Sequence, residues 1–342
     1  MPRDDHVPTR NRTVLVTGAT GFIGLALVSE LIKRGTSLIC TYRRTSNIAD
    51  LCKLLSSSQA KHTLCECNFN DRSTVEQAIE GLQFDTVVHL AAVSAWSDLA
   101  RVDAYDSTFA YTKVLISALA RTRKQVDLIY ISSAAAGPAR KTLTEYPASV
   151  PLNYAAAKRD TEAFLLKQPE DLIRKLVILR LAEIYGPDDH RMVTAGNLTE
   201  YIDKRLSFVT PGGLSILHRD DAARTIANAI SSGMHGHTYY IGGEDVTIAE
   251  LAREISKICG VGAVYVQLPR ALIKPLIYIG RALHLTNYPP ELTEYACTYW
   301  FGDSRRAEVD LGHTYRPARD TLQDVVQWLN ARSSFSTSRD AH

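Results

Sequence analysis

The stretch Val14-Leu15-Val16-Thr17-Gly18-Ala19-Thr20-Gly21-Phe22-Ile23-Gly24 reads as an apolar strand, a glycine-rich turn and the opening of a helix. The three glycines differ in what they allow. Gly18 permits the tight turn, Gly21 lets the backbone approach a pyrophosphate, and Gly24 allows close packing of helix on strand. The helix start then faces the anion with unpaired N–H groups and the positive end of its dipole. Three glycines alone also occur in plain turns. Here they follow a buried strand near the N-terminus and open an amphipathic helix over Phe22–Arg34, the context that a dinucleotide-binding turn requires. Gly18, Thr20, Gly21, Phe22, Ile23 and Gly24 are therefore expected around a dinucleotide.

Outward from this turn, β-branched runs alternate with helical patterns. Strands are expected at Thr13–Thr17, Ser37–Tyr42, His62–Cys67, Thr86–Ala91, Val126–Ser132 and Leu176–Leu181. Helices are expected at Phe22–Arg34, Ile48–Ser57, Ser73–Glu80, Tyr105–Arg123 and Tyr154–Lys167. Such alternation means α/β architecture: a Rossmann-type, doubly wound parallel sheet covered on both faces. After Gly186 short helices dominate, with strand candidates only at Thr238–Ile241 and Val264–Gln267, as in a smaller, mainly helical substrate lobe. The expected division is a tail at 1–12, a dinucleotide-binding domain at 13–186, a substrate lobe at 187–332 that can cross back to the core, and a tail at 333–342.

Composition narrows the function classes. The chain has 342 residues, 45% hydrophobic and 22% charged, enough for a sizeable core. Its 39 Lys and Arg against 37 Asp and Glu leave +2, no electrostatic case for nucleic acid. The six cysteines show no CxxC pair and no Cys/His ligand spacing, so neither a metal site nor a disulfide framework is expected, and a reducing cytoplasm is. The polar segment Met1–Arg12 has no apolar core of a signal peptide, and no 18-residue apolar run marks a membrane span.

The end of the second strand addresses cofactor choice. An NAD site wants an acid there for the ribose hydroxyls. This chain has Tyr42-Arg43-Arg44 and no acid until Asp50. Arg43 and Arg44 suit a 2′-phosphate through charge-assisted hydrogen bonds, whereas a carboxylate repels it. NADP(H) is expected over NAD(H); the plain alternative is two solvated surface arginines.

Tyr154 and Lys158 stand at i, i+4 on one helix face, where an ammonium would favour the phenolate and lower the tyrosine pKa. Such a spacing is common by chance. Its weight comes from Ile131-Ser132-Ser133 at a strand end 21 residues upstream of Tyr154, a hydroxyl donor at the ligand-binding edge of the sheet.

At this point the sequence closely resembles the extended short-chain dehydrogenase/reductase family over about residues 13–330. The carriers are the glycine turn, His89-Leu90-Ala91-Ala92, Ile131-Ser132-Ser133-Ala134-Ala135-Ala136-Gly137-Pro138, Tyr154-Ala155-Ala156-Ala157-Lys158 and Leu179-Arg180-Leu181-Ala182-Glu183-Ile184-Tyr185-Gly186-Pro187. The resemblance implies an oxidoreductase acting between CH–OH and C=O. Tyr154 would exchange the proton on the substrate oxygen and Ser133 would hydrogen-bond that oxygen. Lys158 would bind the nicotinamide ribose. Ser132 takes the place of Ser133 if the strand ends one residue earlier. Leu90, Ala91, Ala92, Leu181 and Ile184 would line the cofactor; Val93, Ala134, Glu183 and Arg191 would line the substrate. Asn68-Phe69 stands where relatives often have an acid contacting adenine, and Ser107 where they have a relay asparagine. Dimerisation through helices represented here by Tyr105–Arg123 and Tyr154–Lys167 is frequent in the family, so the resemblance leaves a homodimer open.

Nucleotide-sugar relatives carry an asparagine at the place of Glu183 and an arginine at that of Leu214, both on the diphosphate. A carboxylate in that place would repel a diphosphate. The C-terminal part instead resembles the 3β-hydroxysteroid dehydrogenase-like and dihydroflavonol reductase-like branch, through Leu268-Pro269-Arg270, Leu292-Thr293 and Phe301-Gly302-Asp303-Ser304-Arg305-Arg306-Ala307. The helix from Pro269 puts Leu272, Ile273, Leu276, Ile279 and Leu283 on one side, suited to packing within the lobe, to a lid over an apolar substrate or to a membrane surface. For Glu183 two readings stand: a substrate or base function, or a salt bridge with Arg180 or Arg191. The expected activity is NADP(H)-dependent interconversion of a ketone or aldehyde and an alcohol on a mainly apolar small molecule. The alternatives are a nucleotide-sugar epimerase, dehydratase or ketoreductase, and a non-catalytic nucleotide-sensing protein.

Overall fold

The computed structural model describes residues 12–92, 103–139, 153–202, 206–284, 290 and 293–339. Six strands from the first half are β1 (Thr13–Thr17), β2 (Ser37–Tyr42), β3 (His62–Glu66), β4 (Thr86–His89), β5 (Val126–Ser133) and β6 (Ile173–Leu181). The second half adds β7 (Glu183–Tyr185), β8 (Leu206–Val209), β9 (Gly213–His218), β10 (His237–Ile241), β11 (Glu244–Thr247), β12 (Val264–Gln267) and β13 (Tyr299–Trp300). The main sheet is parallel, in the order β3-β2-β1-β4-β5-β6-β10. Chain order reverses between β1 and β4, so a crevice opens beyond their carboxyl ends.

Burial on both faces explains the near-continuous apolar strands. Val14 and Val16 of β1 point to one side, against Leu27 and Leu31 of the helix Phe22–Lys33. Leu15 between them points to the other, with Val75, Leu115 and Leu119. The helix Arg219–Ser232 packs on Phe22–Lys33, and Asp103–Thr122 packs on both Arg72–Glu80 and Asn153–Leu165.

Two features of the second half add to the sequence-based expectation, which let the lobe cross back to the core. The expected lobe strand Thr238–Ile241 is the edge of the main sheet, with Tyr240 beside Arg180 in register. The lobe also holds more sheet than expected: β7, β9, β11 and β13 form one small sheet, and β8 pairs with β12. Except for β9, the strands missed by sequence are four residues or fewer, too short for alternation to emerge. The helix Arg270–Ala282 forms where expected, but its apolar side is mostly uncovered. Ile273 is buried, whereas Leu272, Leu276, Ile279 and Leu283 are exposed, so the expected packing role holds for one residue only. The helix is tied down at its start, where the Arg270 guanidinium donates to the Cys297 carbonyl at 2.7 Å and pairs with Glu294.

Candidate active site

The glycine turn is built by close contact rather than by side chains. Gly18 has φ +72° and abuts Ala91, whose backbone nitrogen would lie 3.0 Å from an added Cβ. A Cβ on Gly24 would run into the Gly18 carbonyl oxygen. Gly21 donates its N–H to that same oxygen at 3.0 Å and caps the helix Phe22–Lys33 without any side-chain hydrogen bond. The first turn holds no acid, so its N–H groups and dipole remain directed at the crevice. A pyrophosphate fits this cradle. The Thr17 hydroxyl joins the two strand ends, accepting from the Ala91 N–H at 3.2 Å and meeting His89 Nδ1 at 2.7 Å. Burial pushes His89 down to about 3, with Lys158 adding to the effect, so the imidazole is neutral and structural.

At the end of β2, Arg43 and Arg44 are exposed and form no ion pair among the described residues. Asn68 is also exposed, its side-chain oxygen accepting from the Asn70 N–H at 3.1 Å. Phe69 is different. Its ring is buried between His89 and Tyr111, with centroids 5.9 Å from each, so the side chain expected at the cofactor is core, and only its backbone can line that site. Leu181 and Ile184 are likewise buried, in the cluster against which Phe22 and Ile23 pack. Leu90, Ala91 and Ala92 are partly accessible at the end of β4.

The helix Asn153–Leu165 brings Tyr154 and Lys158 to the end of β5. Strand alternation separates the two serines. Ser133 is partly accessible and hydrogen-bonds Tyr154, while its Oγ accepts from the Ala135 N–H at 3.2 Å. Ser132 is buried and donates to Glu162. Ser133 is thus the hydroxyl beside the tyrosine.

Lys158 does not lower Tyr154 as the spacing suggested. Its ammonium donates to the Ile131 carbonyl at 3.0 Å and lies 5.9 Å from the centroid of the tyrosine ring. Burial pushes Tyr154 up to about 12, opposed by the Ser133 hydrogen bond and assisted by the charge of Glu183. Burial also brings Lys158 down to about 8, against the stabilising charge of Glu162.

Glu162 is absent from the residues singled out by sequence, although it lies eight residues after Tyr154 and four after Lys158, on the same helical face. It accepts from Ser132 and forms a two-oxygen pair with Arg180, with contacts of 3.0 Å from Nε and 2.5 Å from Nη2. The partner of Arg180 is therefore Glu162, not Glu183. Arg191 is exposed and forms no ion pair among the described residues, so the salt-bridge reading of Glu183 fails with both proposed partners.

Glu183 instead accepts from the Tyr295 hydroxyl at 3.1 Å. The Tyr295 ring lies 4.8 Å from that of Trp300, whose indole N–H donates to the Tyr295 carbonyl at 2.9 Å. Tyr154, Tyr295, Trp300, Ala135, Ala139 and Ala155 form one apolar cluster around these groups. Burial raises Glu183 to about 7; the Tyr295 hydrogen bond opposes the rise and the charge of Asp189 assists it. No sequence spacing could have linked Tyr295 or Trp300 to Glu183, more than a hundred residues away. Ala134 is partly accessible next to Ser133, and Val93 lies outside the described residues. Leu214, at the place of the diphosphate-binding arginine, packs in a lobe cluster with Tyr185 and Ile216. Among the described residues no group of His, Cys, Asp and Glu side chains could hold a metal.

A parallel sheet in this order, a side-chain-free anion cradle at its switch point, and a serine, tyrosine and lysine around the adjoining strand end define a dinucleotide-dependent enzyme scaffold. The NAD dependent epimerase/dehydratase profile matches residues 14–242. The chain belongs to that family, the extended short-chain dehydrogenases/reductases, whose cofactor is a nicotinamide dinucleotide. It is 25% identical over 336 residues to sterol demethylase protein B of Methylococcus capsulatus, covering 94% of this chain and 99% of that one. It is 25% identical to human dTDP-D-glucose 4,6-dehydratase, covering 72% of this chain and 74% of that one. The crystal structure of gox2253 superposes with a TM-score of 0.75 at 26% identity, covering 94% of this chain and 99% of the other. No helix among the described residues is long and apolar enough to cross a membrane.

Proposed function

We propose that this protein is an NADP(H)-dependent oxidoreductase that interconverts a ketone or aldehyde and an alcohol on a mainly apolar small molecule. The observation that carries this reading is the wall beside Tyr154: Trp300, Tyr295 and alanines, with a carboxyl at 183 that forms no ion pair among the described residues. An anionic diphosphate is poorly matched to such a wall. Similarity to a sterol-metabolising protein over nearly the whole chain supports the apolar substrate.

The bound cofactor supplies or accepts the hydride. The chain's own residues do the rest. The glycine turn holds the pyrophosphate, and Lys158, hydrogen-bonded to the Ile131 carbonyl and favoured as the ammonium by the charge of Glu162, serves the ribose side. Arg43 and Arg44 meet a 2′-phosphate. In the reductive direction Tyr154 donates its hydroxyl proton to the forming alkoxide, and Ser133 hydrogen-bonds the same oxygen. Burial that holds Tyr154 near 12 in the resting site keeps that proton in place until the oxygen becomes strongly basic.

The test is nicotinamide turnover with NADPH beside NADH, against apolar ketones and aldehydes on one side and keto-sugar nucleotides on the other. NADPH oxidation by the apolar set, lost selectively when Arg43 and Arg44 become Ala, is the expected result. Activity confined to sugar nucleotides would transfer the protein to the epimerase and dehydratase branch, represented among its relatives by the human dehydratase.

A further inference from the structure

Glu183 is held in place by a neutral hydroxyl and forms no ion pair among the described residues. In β5–β6 pairing Ser133 stands beside Leu181, so Glu183, two residues on, belongs to the same edge of the sheet as the serine. Its charge acts on Tyr154. One oxygen, Oε2, takes the Tyr295 hydroxyl; Oε1 accepts no hydrogen bond among the described residues. The side chain is partly accessible, as are Tyr154 and Ser133. Tyr295 is itself held by its ring contact with Trp300 and by the indole hydrogen bond to its carbonyl. The outcome is a fixed acceptor beside an apolar wall, with one carboxyl oxygen left without a hydrogen bond among the described residues.

We propose that Glu183, oriented by Tyr295, is a specificity-determining subsite for a hydroxyl group of the substrate remote from the reacting carbon. The substrate class is then a hydroxyketone, or a diol in the oxidative direction, on an otherwise apolar frame. This rests on the ketoreductase reading above. A neutral donor satisfies Oε1 without desolvating a second charge, which an ammonium group would require. An anionic substituent meets the charges of both Glu183 and Asp189. The rise of Glu183 to about 7 agrees with a buried carboxyl that forms no ion pair among the described residues.

The test compares NADPH oxidation on four matched bicyclic ketones bearing a remote hydroxyl, methyl ether, amine or carboxylate. The wild type is measured beside Glu183→Gln and Glu183→Leu. A hydrogen bond to a charged acceptor corresponds to about 10- to 100-fold in kcat/KM, so the hydroxyl compound should exceed its methyl ether by that factor. Glu183→Leu should remove the preference. Glu183→Gln should keep part of it through the amide oxygen, yet lose the increase that the wild type shows as pH rises through 7.

Equal preference in wild type and Glu183→Leu overturns the subsite, as does selection of the amine or the carboxylate. A uniform fall in kcat for all four ketones, in both variants, assigns Glu183 to the proton chemistry or to folding instead. In each of these cases ketones are still reduced by the wild type and the ketoreductase reading stands. Failure of the wild type on every ketone removes that reading, and the subsite with it.

Discussion

Replacing Glu183 by Gln should stabilise the protein at alkaline pH and leave it unchanged in acid. Burial raises the carboxyl from the usual 4.5 to about 7 in the folded protein. At 1.36 kcal/mol per pH unit this makes ionised Glu183 a liability of ~3 kcal/mol, or ~2 after allowance for its partial exposure. The sign follows from proton linkage. Below the unfolded pKa both states are protonated and the group is neutral in effect. Between 4.5 and 7 the unfolded chain releases its proton first, so stability falls as pH rises. Above 7 the full deficit persists. Gln matches the protonated acid in shape and still offers an oxygen to Tyr295, but it never ionises.

For a chain of this length ~2–3 kcal/mol corresponds to roughly 3–4 °C in Tm. Thermal unfolding of both proteins at pH 4, pH 5.5 and pH 8.5 reads it. The Gln variant should match the wild type in the most acidic buffer and melt higher in the most alkaline one. A difference independent of pH, or a less stable variant at pH 8.5, would show that Glu183 is compensated by charge and would refute the reasoning.

Three further outcomes follow from the geometry. Tyr154→Phe removes the proton donor while keeping the ring in its apolar cluster, so kcat should fall by about 10²- to 10⁴-fold with nucleotide binding retained, as measured by turnover beside fluorescence titration. Gly24→Ala drives a methyl group into the Gly18 carbonyl. The turn must open, and isothermal titration should show nucleotide affinity lost together with a lowered Tm. Glu162→Gln removes the charge that pairs with Arg180 and supports the ammonium of Lys158. It should cost about 2–3 kcal/mol in urea unfolding and move the Lys158 titration, seen in the pH dependence of kcat, below about 8.

Local chemistry makes much of the fold legible in the sequence. A turn that needs glycine at 18, 21 and 24 is constrained by backbone geometry alone, and strands buried on both faces announce themselves as apolar runs. Tyr154 and Lys158 are neighbours because a helix has 3.6 residues per turn, whatever surrounds it. Glu162 was available by the same periodicity. Short strands such as Glu183–Tyr185 and Tyr299–Trp300 were not, because three or two residues carry no repeat.

Tertiary structure alone decided which charges meet and which side chains are shielded. Arg180 is near Glu183 in sequence yet pairs with Glu162, since alternation along β6 and the packing of the helix Asn153–Leu165 bring those two together. Tyr295 reaches Glu183 only because the lobe folds back on the sheet edge. The pKa values of Tyr154, Lys158 and Glu183 depart from their ordinary ranges through burial, a property of the assembled protein rather than of any spacing. Periodicity is short-ranged and can be read along a chain; desolvation and long-range pairing exist only once distant segments exclude water together.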